Sequence, residues 1–158
     1  MKKMLVVYYS WSNGNTEKIA LSLQKATGAD IAKIETLEPY KGSYDDVVSE
    51  GQREVNRGYM RPIKPLDADV QNYDVIAVGT PTWWYTMAPA VKTFLNSQKW
   101  EGKTVVPFMT NGGWPGHVIK DIDFCRKIKK KDCISFWIYS LLFYINKSIS
   151  TFIYTLKP

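Results

Sequence analysis

Runs of strand-like sequence alternate along the chain with segments in which apolar residues recur at helical spacing. The strand-like runs, rich in β-branched and aromatic residues, cover residues 4–9, 30–35, 73–80 and 103–110. Continuous apolar strands are typical of a parallel sheet that is covered on both faces. The alternation therefore predicts an α/β fold made of βαβ units with right-handed crossovers.

Several residues indicate where the helices begin, break or end. Gly28 follows the first helical segment as a C-terminal stop, and Pro89 stands at a first helical position. Residues 43–58 are polar with sparse apolar positions, which predicts a helix broken near Gly51. A short helix is expected at about residues 118–124.

Composition and charge narrow the class of protein. The 158 residues are 45% hydrophobic, so we expect one domain over residues 1–158. No secretory leader pattern is present, which favours a cytoplasmic protein. The net charge of +6 arises wholly in residues 125–158, since residues 1–124 carry 14 basic and 14 acidic side chains. A short basic run is more often a solvated face than a nucleic-acid site, so we expect no nucleic-acid partner.

Ligands of open α/β sheets bind beyond the carboxyl ends of the strands, which directs attention to three loops. The first loop, within "YYSWSNGNTEKIA", offers hydroxyls, amides and one glycine at a helix start, but no lysine or arginine before Lys18. Such a loop can hold one phosphate through neutral donors and the helix dipole. The alternative is an ordinary capped helix start, since Ser and Asn are favoured there.

The second and third loops add aromatic and glycine residues. "PTWWYTM", residues 81–87, places three large aromatic side chains after a buried strand, either as core or as stacking walls for a flat ligand. "TNGGWPGH", residues 110–117, has glycines that permit close backbone approach, or is simply a flexible loop. His117, the sole histidine, has no obvious carboxylate partner and is expected at the surface. Together the three loops predict a pocket for a flat, monophosphorylated aromatic ligand such as FMN.

The same three segments resemble the flavodoxin family, in particular the short bacterial flavodoxin-like proteins. "YYSWSNGNTEKIA" is similar to their phosphate loop, and "VGTPTWWYTMAPAVKTFL" and "GKTVVPFMTNGG" are similar to their flavin-side segments. The resemblance covers roughly residues 3–124. It implies a three-layer fold with a five-stranded parallel sheet in the order 2-1-3-4-5 and helices on both faces.

The resemblance also implies which residues bind the cofactor. The phosphate of FMN would be held by the first loop, comprising Ser10, Trp11, Ser12, Asn13, Gly14, Asn15 and Thr16. The isoalloxazine ring would lie beside Pro81, Thr82, Trp83, Trp84 and Tyr85, with Trp83 or Trp84 stacking. The pyrimidine edge of the ring would meet Thr110, Asn111, Gly112 and Gly113.

Three functions are compatible with these residues. The first is electron transfer between a redox partner protein, or a small-molecule acceptor, and the flavin. The second is an NAD(P)H-dependent FMN or quinone reductase on the same fold, and the third is a non-redox binding module. Residues 81–87 lack the glycine at which many flavodoxins flip a peptide on reduction, which gives weight to two-electron chemistry. A hydrolase is disfavoured because the chain has no GxSxG motif.

The C-terminal segment, residues 125–158, is atypical of the family in its density of Ile, Phe, Tyr and Lys. Residues 132–140 predict a fifth strand, which would cover the apolar edge of the fourth. A membrane contact and a frame-shifted gene end are the alternatives. The apolar stretch 134–145 is shorter than the roughly 20 residues of a spanning helix, so no transmembrane segment is expected.

Overall fold

The computed structural model describes residues 2–125, apart from the side chain of Phe124, and its strands and helices alternate. The strands are β1 (Met4–Tyr8), β2 (Asp30–Lys33), β3 (Val75–Trp83), β4 (Thr86–Met87) and β5 (Thr104–Thr110). The helices are α1 (Asn15–Thr27), α2 (Tyr44–Asn56), α3 (Pro89–Ser97) and α4 (Val118–Cys125), with a 3-10 turn at Val70–Asn72. Every helix and strand predicted within these residues is present.

The sheet is parallel over its four main strands. β1 pairs with β2 and β3, and β3 pairs with β5, which gives the order β2-β1-β3-β5. This confirms the first four positions of the predicted order, while the predicted strand at 132–140 lies outside the described residues. The fifth described strand is β4, which the sequence did not predict and which lies antiparallel to the end of β3.

Helices cover both faces of the sheet, as predicted. Alternate residues of β1 point to opposite faces: Val6 and Tyr8 pack with Ala20 and Leu23 of α1. Leu5 and Val7 lie in the larger core on the other face, to which α3 and α4 contribute. No helix among residues 2–125 is both long and apolar enough to cross a membrane.

Helix α2 runs without interruption through Gly51, so the predicted break there is wrong. A capping box between Ser43 and Asp46 starts the helix. Gly51 is buried, and a Cβ at this position would lie 3.0 Å from Cε3 of Trp83. The glycine therefore allows close packing against Trp83, and α2 tolerates its low helix propensity. The signals at Gly28 and Pro89 are confirmed as the C-cap of α1 and the first residue of α3.

Candidate functional site

A cavity of about 420 Å³ lies at the carboxyl edge of the sheet, where all three predicted loops meet. Its lining includes most of the predicted site residues: Trp11, Ser12, Asn13, Asn15, Thr16, Pro81, Thr82, Trp83, Trp84, Thr110, Asn111 and Gly112. Four predicted residues do not line it: Ser10, Gly14, Tyr85 and Gly113. None of the lining residues carries a charged side chain.

Helix α2 forms a further wall that sequence analysis missed. It contributes Tyr44, Val47, Val48 and Gly51 to the lining. The Tyr44 ring stacks on Trp11, with 5.7 Å between centroids and 28° between planes. The indole Nε1 of Trp84 donates a hydrogen bond of 3.3 Å to the carbonyl oxygen of Val48. No motif marks this wall, because a long loop, residues 34–43, separates α2 from the end of β2 and the sequence of α2 is mainly polar.

The first loop curls tightly into the start of α1. Ser12 and Gly14 both have left-handed backbones, with φ of 61° and 68°. Gly14 is the N-cap residue, and no side chain there caps the helix. The N–H groups of the first turn are therefore left for a ligand or solvent. This differs from the alternative of an ordinary capped helix start, in which a side chain accepts from these groups.

The hydroxyl group of Ser10 lies at the base of this loop. Its Oγ is shielded from solvent and has no hydrogen-bond partner among the described residues. A buried hydroxyl without a partner is costly and calls for an explanation. An oxygen of a phosphate held in this loop would satisfy it, and the positive end of the α1 dipole favours an anion at the start of the helix. The residues present thus fit a monophosphate group.

Glu17, the acidic residue in the first turn of α1, is bonded to Tyr8 and Lys33. Its Oε1 accepts hydrogen bonds from the Tyr8 hydroxyl at 2.7 Å and from Lys33 Nζ at 3.2 Å. The bond from Tyr8 and then that from Lys33 hold the pKa of Glu17 below its ordinary value. The Glu17 carboxylate therefore has its negative charge balanced by Lys33 near the loop.

The two adjacent tryptophans of the second loop occupy different environments. Trp83 is partly buried and lies edge-on to Tyr9, Trp11 and Tyr40. Trp84 is 39% exposed at the rim. Trp83 is therefore part of the back wall, while Trp84 is the more accessible ring. Both line the cavity.

Trp84 and Tyr85 form the two-residue turn between β3 and β4. Both have positive φ, 48° and 69°, as a type I′ hairpin turn requires. Non-glycine residues seldom adopt this conformation, which explains why the sequence did not predict β4. The third loop supports the turn: the N–H of His117 donates a 2.7 Å hydrogen bond to the Tyr85 carbonyl.

The third loop also corrects the expectation that His117 lacks a carboxylate partner. His117 Nδ1 lies 2.5 Å from Oδ2 of Asp121, one turn further along. The Thr86 hydroxyl donates to the same carboxylate oxygen. The imidazole remains 57% exposed, so the predicted surface position is confirmed. Nearer the cavity, Asn111 Oδ1 accepts from the Gly113 N–H at 2.8 Å and shapes the loop.

Comparison with known proteins places this geometry in a family. The family model described as flavodoxin matches residues 3–149. The NAD(P)H dehydrogenase (quinone) 3 of Rhizobium meliloti (strain 1021) is 37% identical over 101 residues, which is 61% of this chain. The match spans 43% of that relative's length, less than half of it.

Two solved structures share the fold. A candidate flavoprotein from Bacteroides eggerthii DSM 20697 is 31% identical, with a TM-score of 0.71 and coverage of 78% of this chain and 80% of that one. A flavoprotein from Lactobacillus acidophilus NCFM, solved in complex with FMN, is 24% identical, with a TM-score of 0.71 and coverage of 80% and 87%. On the match over residues 3–149, the chain belongs to the flavodoxin family.

Proposed function

We propose that the cavity binds FMN and that the protein transfers electrons through this flavin. The observation that carries the proposal is the buried hydroxyl of Ser10, which has no hydrogen-bond partner among residues 2–125 and belongs to the loop that leads into the uncapped start of α1. Ser10 does not line the cavity itself, but its hydroxyl would donate to a phosphate held by the first loop, whose Ser12, Asn13, Asn15 and Thr16 do line it together with aromatic residues of the second loop. The volume of about 420 Å³ is in the range of sites for small ligands.

The three loops would divide the binding of FMN between them. Residues 10–16 would hold the phosphate through neutral donors and the first-turn N–H groups of α1. Residues 81–85 would lie beside the isoalloxazine ring, with Trp84 as the accessible stacking partner and Trp83 as the back wall. Residues 110–113 would meet the pyrimidine edge. The flavin supplies the redox chemistry when bound, and the protein binds and orients it.

Cofactor uptake tests the proposal. The purified protein is incubated with excess FMN, desalted, and its visible spectrum recorded. We expect close to one FMN retained per chain, together with a change in the flavin absorption bands on binding. A protein that stays colourless after this treatment would contradict the proposal. Stepwise reduction of the loaded protein then shows whether electrons enter singly or in pairs.

A second candidate function is NAD(P)H-dependent reduction of a quinone or a similar small acceptor. It is favoured by the likeness to the Rhizobium meliloti relative. The exposed rings of Trp84, Tyr85 and Trp114, which are 39%, 57% and 69% accessible, also support it. Flat acceptors stack readily on such rings. Steady NAD(P)H oxidation in the presence of a quinone, with no added reductase, would favour this enzyme over a carrier that needs a partner protein.

A further inference from the structure

Trp83 is held from several sides behind the cavity. Its indole lies edge-on to Tyr9 and Trp11, each at 6.1 Å between centroids, and to Tyr40 at 5.1 Å. Gly51 of α2 closes a further side, because a Cβ there would lie only 3.0 Å from Cε3 of the indole. Edge-to-face contacts of this kind favour one orientation of the rings. The position of Trp83 in the cavity wall therefore depends on these neighbours.

Tyr40, the nearest ring, is itself fixed by two further groups. Its hydroxyl donates a 2.5 Å hydrogen bond to Oε2 of Glu54. The guanidinium of Arg61 covers its ring, with Cζ 3.6 Å from the centroid. Burial, and then the hydrogen bond to Glu54, raise the pKa of the Tyr40 hydroxyl. Tyr40 therefore keeps its proton, and so its bond to Glu54, across the neutral pH range.

Arg61 and Glu54 form the base of this arrangement. Arg61 Nη1 lies 2.5 Å from Oε1 of Glu54, and each side chain is 10% exposed. Arg61 also bonds to Glu50 and to the carbonyl oxygen of Glu38. Apolar residues of similar volume often stabilise a protein as well as a buried ion pair does. The role of the pair here is to hold the Glu54 carboxylate and the Arg61 guanidinium in fixed places against Tyr40.

We propose that Tyr40, Glu54 and Arg61 are positioning residues that hold Trp83 as the back wall of the flavin ring site. This inference rests on the FMN binding proposed above. Trp83 ends β3 on the proposed ring side of the cavity, and Trp11 is the first-loop residue whose ring contacts it. The proposed phosphate donors of that loop are the hydroxyl, amide and N–H groups of its other residues. Loss of the network should therefore weaken FMN and riboflavin by the same factor, because the two ligands share the ring and differ in the phosphate.

The substitution Tyr40→Phe tests the network with a minimal change, since it removes one hydroxyl and leaves Glu54 Oε2 without that donor. We expect the Kd values of FMN and riboflavin to rise together by roughly fivefold to tenfold, with their ratio unchanged. The near-UV circular dichroism of the apoprotein should also change, because the Trp83 ring moves. Tyr73→Phe is the matched control: it removes a hydroxyl bonded to Asp30, a residue that does not line the cavity. It should leave both Kd values unaltered.

The substitution Gly51→Ala acts on Trp83 from the other side. Alanine has a higher helix propensity than glycine, which favours the folded helix. The added Cβ nevertheless has to displace the indole. We expect a parallel rise in both Kd values, again roughly fivefold to tenfold, together with a changed near-UV spectrum of the apoprotein. Because Gly51 itself lines the cavity, Glu54→Gln, at a network residue outside that lining, decides the matter if Tyr40→Phe does not fold.

The outcomes separate the two proposals. If the wild-type protein binds neither FMN nor riboflavin, the proposed function itself is wrong. If it binds both, and the two variants leave both Kd values and the near-UV spectrum unchanged, the positioning role is wrong while the function stands. Weakening of FMN alone would likewise overturn the positioning role, because it would place the effect at the phosphate.

Discussion

The side-chain oxygens of Thr16 and Thr110 lie 2.7 Å apart, although 94 positions of sequence separate the two residues. Thr16 is in the first turn of α1 and is 1% exposed, and Thr110 ends β5. The hydrogen bond joins the first loop to the third across the carboxyl edge of the sheet. It therefore fixes the proposed phosphate side of the cavity relative to the proposed pyrimidine side.

Replacing these threonines by valine tests that connection. Thr16→Val and Thr110→Val should each lower the free energy of unfolding by about 1 kcal/mol, since each leaves a hydroxyl without its partner. The double variant should lose less than the sum, with a coupling energy of about 1 kcal/mol. Urea unfolding of the four apoproteins measures this, and strictly additive losses would show that the bond contributes nothing to stability.

Ser10→Ala should change stability and FMN binding in opposite directions. The hydroxyl of Ser10 is shielded and has no hydrogen-bond partner within residues 2–125, so its removal should stabilise the apoprotein by up to about 1 kcal/mol. It should raise the Kd of FMN by roughly tenfold and that of riboflavin little, because one phosphate donor is lost. Denaturant unfolding and flavin titration measure the two effects.

The control for Ser10→Ala is Ser22→Ala, which removes a hydroxyl bonded to the Lys18 carbonyl oxygen within α1. We expect it to leave the affinity for FMN unchanged. An equal loss of affinity for FMN and riboflavin in Ser10→Ala would place the phosphate elsewhere.

Gly116 should be essential for the contact between the third loop and the β3–β4 turn. Its φ is 60°, and a Cβ there would overlap the carbonyl group of Tyr85. We expect Gly116→Ala to cost about 3 kcal/mol or more of unfolding free energy, from backbone strain and overlap together. Gly102→Ala is the matched control: φ is 71°, with no neighbouring atom within 4 Å. It should cost only about 1 kcal/mol, and equal losses in the two variants would contradict the proposed packing.

Much of this architecture could be predicted from local sequence patterns, because strand runs and helix ends depend on nearby residues. The strand order was implied by the resemblance to the flavodoxin family, whereas the meeting of three loops follows from the general geometry of parallel sheets. The continuity of α2 through Gly51 could not be predicted, since the reason is a distant contact with Trp83. Tyr44 was missed for the same reason, since its place in the site depends on stacking against the distant Trp11. The β3–β4 turn was also missed, because tertiary packing holds Trp84 in a left-handed conformation for which the sequence carries no signal.

Acid should weaken the folded protein partly through Glu17. Its pKa is lowered from the ordinary value of 4.5 by the hydrogen bond from Tyr8 and then by that from Lys33. Because the pKa of Glu17 is lower in the folded state, its ionised carboxylate stabilises the fold fully above pH 4.5. This stabilisation is lost as the pH falls from 4.5 through the folded-state pKa. Glu17→Gln should therefore be less stable than the wild type at pH 7, and the difference should shrink at about pH 2.

Urea unfolding across this pH range provides the measurement for Glu17. Glu101→Gln serves as its control, because the exposed Glu101 side chain has no hydrogen-bond or ion-pair partner among the described residues. The control should follow the wild-type curve. A difference between Glu17→Gln and the wild type that stayed constant from pH 7 to about pH 2 would exclude the linkage.

The central claim is that residues 10–16 bind the single phosphate of FMN. Its most direct test is the titration of the wild-type apoprotein with FMN and with riboflavin under identical conditions. Two charge-assisted hydrogen bonds to the phosphate, each of about 1.5 kcal/mol, predict that FMN binds roughly a hundredfold more tightly than riboflavin. Equal affinities for the two flavins, or no binding of either, would contradict the account.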